Sequence, residues 1–160
     1  VSGCAHRRFF PAAVLFAVLV LCESCRSVKM PSPADFSKPG WHVMQGQALW
    51  QPPVGRTALV GDLLLATNAN GDFFVQLSKN PFPLVTAQYS DNLWSIQFGN
   101  NKHRWHGEGE PPRQFMWFVL PGALNNATPG QKWKFTRKDA GSFLLQNPRT
   151  GESLEGTFYP

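Results

Sequence analysis

From Gly46 to Phe158 apolar and polar residues alternate in short runs, broken every few positions by Asn, Asp, Gly or Pro. A period of two sends successive side chains to opposite faces of an extended chain, so each run predicts a strand with one apolar face. The first is Gly46–Gln51, closed by Pro52 and Pro53. The second, Arg56–Thr67, carries Leu59, Gly61, Leu63 and Leu65 on one face and Val60, Asp62 and Leu64 on the other. Asn68–Gly71 is a turn, because Asn and Gly tolerate the positive φ of tight hairpins. Phe73, Val75 and Leu77 then alternate with Phe74, Gln76 and Ser78. Asn80–Pro83 interrupts the pattern before Leu84–Ser90, and Asp91 and Asn92 turn the chain into Leu93–Phe98, with Trp94, Ile96 and Phe98 sharing a face. Lys102–Gly107 reads as a further strand. Pairs at Trp133/Phe135, Phe143/Leu145 and Leu154/Gly156/Phe158 complete the set, with Pro148–Gly151 as the last hairpin turn.

One segment differs. Phe115–Leu120 is apolar throughout, which suits either a buried strand or a buried helix. Pro112 at its entry and Pro121-Gly122 at its exit predict a short helix within Pro111–Leu120. Connections of hairpin length elsewhere predict an antiparallel meander rather than βαβ units. The fold class expected is therefore mainly β, with one or two short helical segments.

The N-terminal quarter has another character. Arg7 and Arg8 precede an apolar run from Phe9 to Cys22, followed by Glu23, Ser24 and Cys25. A basic start, a short apolar middle and a small residue before the break form a secretory signal, and the run is too short to span a bilayer comfortably. The segment resembles the lipobox of bacterial lipoproteins, with Ser24 before the cleaved bond and Cys25 as the acylated residue. The resemblance implies a signal peptide over residues 1–24 and membrane attachment through Cys25. Residues 25–40, rich in Pro and Ser, are expected to form a tether, and residues 41–160 a single β domain. An extended tether would reach roughly 40 Å at about 3.1 Å per residue.

Composition excludes several classes. Cys4, Cys22 and Cys25 are the only cysteines, so the expected domain has no disulfide, thiol chemistry or cysteine-based zinc site. With Arg7, Arg8 and Glu23 set aside, 13 basic and 9 acidic residues remain, dispersed rather than striped, which argues against nucleic-acid binding. His103, His106 and Glu108 are of ligand type for zinc, but on a strand His106 and Glu108 share a face that His103 does not. His42 stands alone. Ser142 and Ser153 lack the flanking pattern of a nucleophile elbow, and no phosphate loop or dinucleotide fingerprint occurs. The reading is of a protein that is not an enzyme and needs neither metal nor cofactor.

The stretch Gly71–Pro83 (GDFFVQLSKNPFP), continuing to Leu93–Phe98 (LWSIQF), resembles the bacterial lipoprotein-carrier superfamily that includes the carrier LolA and the outer-membrane receptor LolB. The order of parts is similar as well: acylated N-terminus, tether, meander, one apolar segment midway and a return to strands. The resemblance implies an incompletely closed barrel, a half-barrel whose apolar concave face takes acyl chains beneath a helical cover. Burying each methylene there is worth about 0.8 kcal/mol. Candidates to line it are Leu59, Leu63, Leu65, Phe73, Val75, Leu77, Trp94, Ile96 and Phe98 on strands, with Phe115, Trp117 and Phe118 in the cover. Phe82 or Leu84 would match the exposed apolar residue of a membrane or transfer loop.

The function expected is a lipid-anchored binding module of the bacterial outer membrane, facing the periplasm. Arg26 is compatible with outer-membrane sorting in the family scheme. Its partners would be membrane lipid through Cys25, lipoprotein acyl chains or a periplasmic carrier protein. The alternative is an envelope lipoprotein of the same fold that binds no lipid and serves as a structural or interaction component. A concave face with room for an acyl chain favours the first, and one packed solid favours the second.

Overall fold

The computed structural model describes residues 29–99 and 103–160; the expected leader, Cys25 and Arg26 lie outside the described residues. Nine strands form one antiparallel sheet: β1 (Trp41–Gln51), β2 (Leu59–Asn68), β3 (Phe73–Lys79), β4 (Phe82–Ser90), β5 (Leu93–Phe98), β6 (His103–Glu108), β7 (Lys134–Arg137), β8 (Ser142–Gln146) and β9 (Ser153–Phe158). Among the described residues a single helix, α1 (Met116–Leu124), is present, and it separates β6 from β7. The expected meander and short helix are both present. Boundaries moved: β1 begins five residues before Gly46, where Trp41–Gln45 pair with Leu64–Asn68, and β2 begins at Leu59 rather than Arg56.

The spatial order is β6-β5-β4-β3-β2-β1-β9-β8-β7. β1 thus sits mid-sheet, five strands unroll from it by hairpins, and the last three return to its other side. α1 carries the chain from one edge of the sheet to the other. β6 and β7 do not pair, so the sheet stays open. It is nevertheless strongly curled. Trp50 on β1 and Phe98 on β5 are four strands apart, roughly 19 Å on a flat sheet at ~4.8 Å per strand. Their ring centroids lie 5.9 Å apart, which requires an incomplete barrel.

Alternation assigns the faces. Leu63, Leu65, Val75, Leu77, Val85, Ala87, Ile96, Phe143, Leu145 and Leu154 are all buried on the concave side. Two glycines let large rings lie flat there. A Cβ on Gly156 would sit 2.7 Å from the Phe143 ring, and one on Gly107 would sit 2.6 Å from the Trp94 ring. Neither ring could occupy its place over any other residue.

α1 fills the concavity. Met116, Trp117, Phe118, Val119, Leu120, Pro121 and Ala123 are buried, an apolar surface all round its circumference. The helix runs through Pro121-Gly122, where the sequence predicts its exit. Its stop lies at Asn125-Asn126. Asn126 takes φ 64°, its N–H donates to the Ala123 carbonyl at 3.2 Å, and the Ala127 N–H donates to Gly122 at 2.8 Å. This pair of bonds is a Schellman closure, with Asn in the left-handed position more often held by Gly.

The described part of the expected tether lies along the convex face. Phe36 packs edge-on against Trp41 and Phe74, at 5.5 and 5.3 Å. Buried Gln88 on β4 donates to the Ser32 carbonyl, and Arg104 on β6 contacts the Met30 sulfur at 3.4 Å. From Trp41 back to Met30 the segment therefore crosses from β1 towards the β6 edge.

Candidate functional site

The nine expected lining residues on strands share one apolar face, and α1, with Phe115, Trp117 and Phe118, occupies it. Leu63, Leu65, Phe73, Val75, Leu77, Ile96, Trp117 and Phe118 are buried in the core cluster, while Leu59, Trp94, Phe98 and Phe115 pack partly exposed against it. The contacts are mutual. Trp117 meets Trp50 edge-on at 5.4 Å, Phe118 meets Phe73 and Trp94 at 6.1 and 5.8 Å, and Phe115 meets Phe98 and Trp105 at 6.2 and 6.0 Å. Strand phase alone brought the nine strand residues onto one face. The cover residues came from a different element and meet them through the curl of the sheet.

Two details distinguish the cover from an ordinary core helix. Its N-cap, Phe115, offers no side-chain hydrogen bond, and no acidic residue lies in its first turn. The Trp117 indole N–H is buried without a hydrogen-bond partner among the described residues. An unpaired buried donor costs about 1–3 kcal/mol. Trp133, by contrast, donates to the Arg113 carbonyl at 2.8 Å and fixes the loop that leads into α1.

A half-open cleft of about 880 Å³ lies at the other end of the helix. Its walls are the start of β1, the end of β9, the β7–β8 hairpin and the C-terminal end of α1. None of the twelve expected residues borders it. Met44, Leu124, Phe143 and Phe158 give it an apolar floor, and His42, Thr67, Arg137, Asp139 and Ser142 bring polar groups. The Arg137 Nη2 donates to the Leu124 carbonyl at 2.7 Å, where the helix dipole is negative. The Asp139 carboxylate accepts N–H bonds from Gly141 and Ser142 at 2.9 and 2.7 Å. Those backbone bonds, first Gly141 and then Ser142, hold its pKa below the ordinary carboxylate value. Arg137 is two residues from Phe135 on the inward phase, which is the signal in the sequence that this exposed residue sits at the cleft side of β7.

The two ends of the sheet differ chemically. One carries the β1–β2, β3–β4, β5–β6 and β8–β9 connections. There Val54 is 88% exposed and Phe82 58% exposed, flanked by Arg56, Lys79 and Arg149. Glu152, the carboxylate within these connections, is part-buried and accepts a 3.3 Å hydrogen bond from the Trp50 indole. Desolvation lifts its pKa, against the Trp50 hydrogen bond and the charge of Arg56. The opposite end carries Asp72, Asp91 and Asp139 in its three turns. Phe82 lies on β4 beside Lys79, at the tight turn, while Leu84 packs against the core.

The remaining sequence candidates fall elsewhere. His106 and Glu108 pair with Ser95 and Leu93 on the convex face, and His103 lies on the concave face with its ring stacked on Trp105 at 6.1 Å. No described helix is long and apolar enough to cross a membrane. No protein-family model matches the chain, and no curated protein matches its sequence.

Proposed function

We propose that this chain is a lipid-anchored binding module of the bacterial envelope that works against a bilayer surface and takes acyl chains into its concave face beneath α1. The observation that carries the reading is the segregated end of the sheet. Exposed Val54 and Phe82 are apolar tips, and Arg56, Lys79 and Arg149 around them would be drawn to anionic headgroups at about 1 kcal/mol each. The N-terminal segment supports the same orientation. Met30 lies beside Arg104, two residues into β6 from that end, and five further residues reach back to Cys25, at most roughly 18 Å. That reach is long enough for an acyl anchor on Cys25 to enter the same bilayer as the apolar tips.

Support for the acyl site is the continuity of the apolar concave face that α1 covers. A chain entering there would exchange helix contacts for its own and give the Trp117 N–H an ester or carboxyl oxygen to bond. The second reading, an envelope component that binds no lipid, is favoured by one observation: α1 already fills that face. Vesicle co-sedimentation of the Cys25→Ser chain tests the surface reading. Binding to anionic vesicles should fall with salt and drop by roughly tenfold or more in Arg56→Glu/Lys79→Glu. Equal binding of the two proteins would remove the basis for this orientation.

A further inference from the structure

We propose that the cleft at the C-terminal end of α1 is a second site, one for an amphiphile with a phosphate head, held by Arg137. It is open in the structure as it stands and does not depend on movement of α1 or on the acyl site beneath it. Its volume, about 880 Å³, falls within the range of roughly 300–1,000 Å³ usual for small-molecule pockets. Pockets of that kind pair an apolar lining with a few placed polar groups, and this one does so.

The charge pattern selects the head. Lys138 next along the chain is paired with Glu155, whereas Arg137 has no carboxylate partner among the described residues. Its one hydrogen bond among the described residues, from Nη2 to the Leu124 carbonyl, orients the guanidinium and leaves Nε and Nη1 with donors to offer. A planar guanidinium held in one orientation suits two phosphate oxygens at once. Asp139 is the cleft's carboxylate side chain, and it is turned into the backbone of its own hairpin by Gly141 and Ser142. The carbonyl end of α1 would repel an anion, but the Schellman bonds and Arg137 itself occupy those carbonyls. His42 offers a further ring nitrogen on the same side as Met44 and Thr67.

The floor selects the tail. Phe158 stacks on Phe143 at 5.5 Å, and with Met44 and Leu124 these rings bound a surface that an alkyl chain would cover. A head on Arg137 and a chain over the Phe158–Phe143 stack use both halves of the cleft, whereas inorganic phosphate uses only one.

The probe is dodecyl phosphate below its micelle concentration, with dodecyl maltoside as the same chain on a neutral head and inorganic phosphate as the head alone. Amide shifts of the isotope-labelled Cys25→Ser chain are the readout. Dodecyl phosphate should perturb Leu124, Ser142, Phe143 and Phe158 and bind roughly tenfold more tightly than either control. Arg137→Gln should erase that preference. Because Arg137 also caps α1, Ala140→Glu provides an independent variant: it adds a negative charge at the cleft without touching the Leu124 bond, and should weaken dodecyl phosphate alone. Equal affinity for the phosphate and maltoside heads would overturn the proposal, as would unchanged binding in both variants. Shifts centred on Trp117 and Phe118 instead would also overturn it, while supporting the acyl site under α1. Failure of that acyl site would leave the cleft shifts in place.

Discussion

Replacing Gly156 by Ala on β9 would force a methyl group to within 2.7 Å of Cζ and 2.8 Å of Cε1 of Phe143. The ring has little freedom to withdraw. It is stacked between Phe135 at 6.2 Å and Phe158 at 5.5 Å, and it is 1% exposed. Overpacking of a dense core costs about 1–3 kcal/mol, and disturbing two aromatic stacks of about 0.5–1.5 kcal/mol each points to the upper half of that range. Gly156→Ala should therefore destabilise by about 2 kcal/mol. Phe143→Leu should cost about 1–2 kcal/mol by itself. With the ring gone, what remains against the new methyl is the Gln47 carbonyl at 3.2 Å, a contact that needs a shift of only tenths of an ångström. The double variant should thus be more stable than the sum of the two losses by about 1 kcal/mol. Urea unfolding followed by tryptophan fluorescence measures all four corners of the cycle. Additivity within about 0.5 kcal/mol would refute the ring-over-glycine account.

Two further outcomes follow from the same structure. Asn126→Ala should destabilise by about 1 kcal/mol in urea unfolding and Asn126→Gly by little or nothing, because the Schellman closure needs a left-handed residue at φ 64°. Glu152→Gln should raise stability near pH 7 and change it little near pH 4. Burial raises the folded-state pKa, so the folded protein holds that proton to higher pH than the unfolded chain does. Stability associated with Glu152 is therefore full below the ordinary carboxylate value and is lost as pH climbs to the raised one. Unfolding curves at the two pH values, for both proteins, check the sign.

The strands were legible because each has one wet and one dry face, so Leu63, Leu65, Val75, Leu77 and Ile96 could be phased from alternation alone. The start of β1 was not, since Val43 is half exposed on the convex side and masks the period. The end of α1 was misplaced because Pro121 and Gly122 look like a stop. The actual stop depends on Asn126, whose side-chain type only modestly favours the left-handed region. The curl of the sheet could not be read from alternation; the incompletely closed barrel was expected only as what the resemblance implied. It is a property of nine paired strands together, and it decides that Trp50 meets Phe98 and that α1 has a cavity to enter. The cleft was missed for a related reason: β1, β9, the β7–β8 hairpin and α1 converge on it from four parts of the chain. The run over residues 29–40 looked like a tether by composition, yet Gln88, Phe74 and Arg104 on three different strands hold it to the convex face.

Whether an acyl chain enters beneath α1 is the central question, and brominated fatty acids answer it by contact. Bromine quenches tryptophan only at short range, and Trp50, Trp94 and Trp117 all face the concave side while Trp41 lies against Phe36. Titrating the Cys25→Ser chain with dibromostearate should give saturable quenching at about one chain per protein, reduced when Trp117 is replaced by Phe. No quenching beyond that of free tryptophan, with α1 amides unshifted, would contradict the acyl-binding account and leave the domain an interaction component with a solid core.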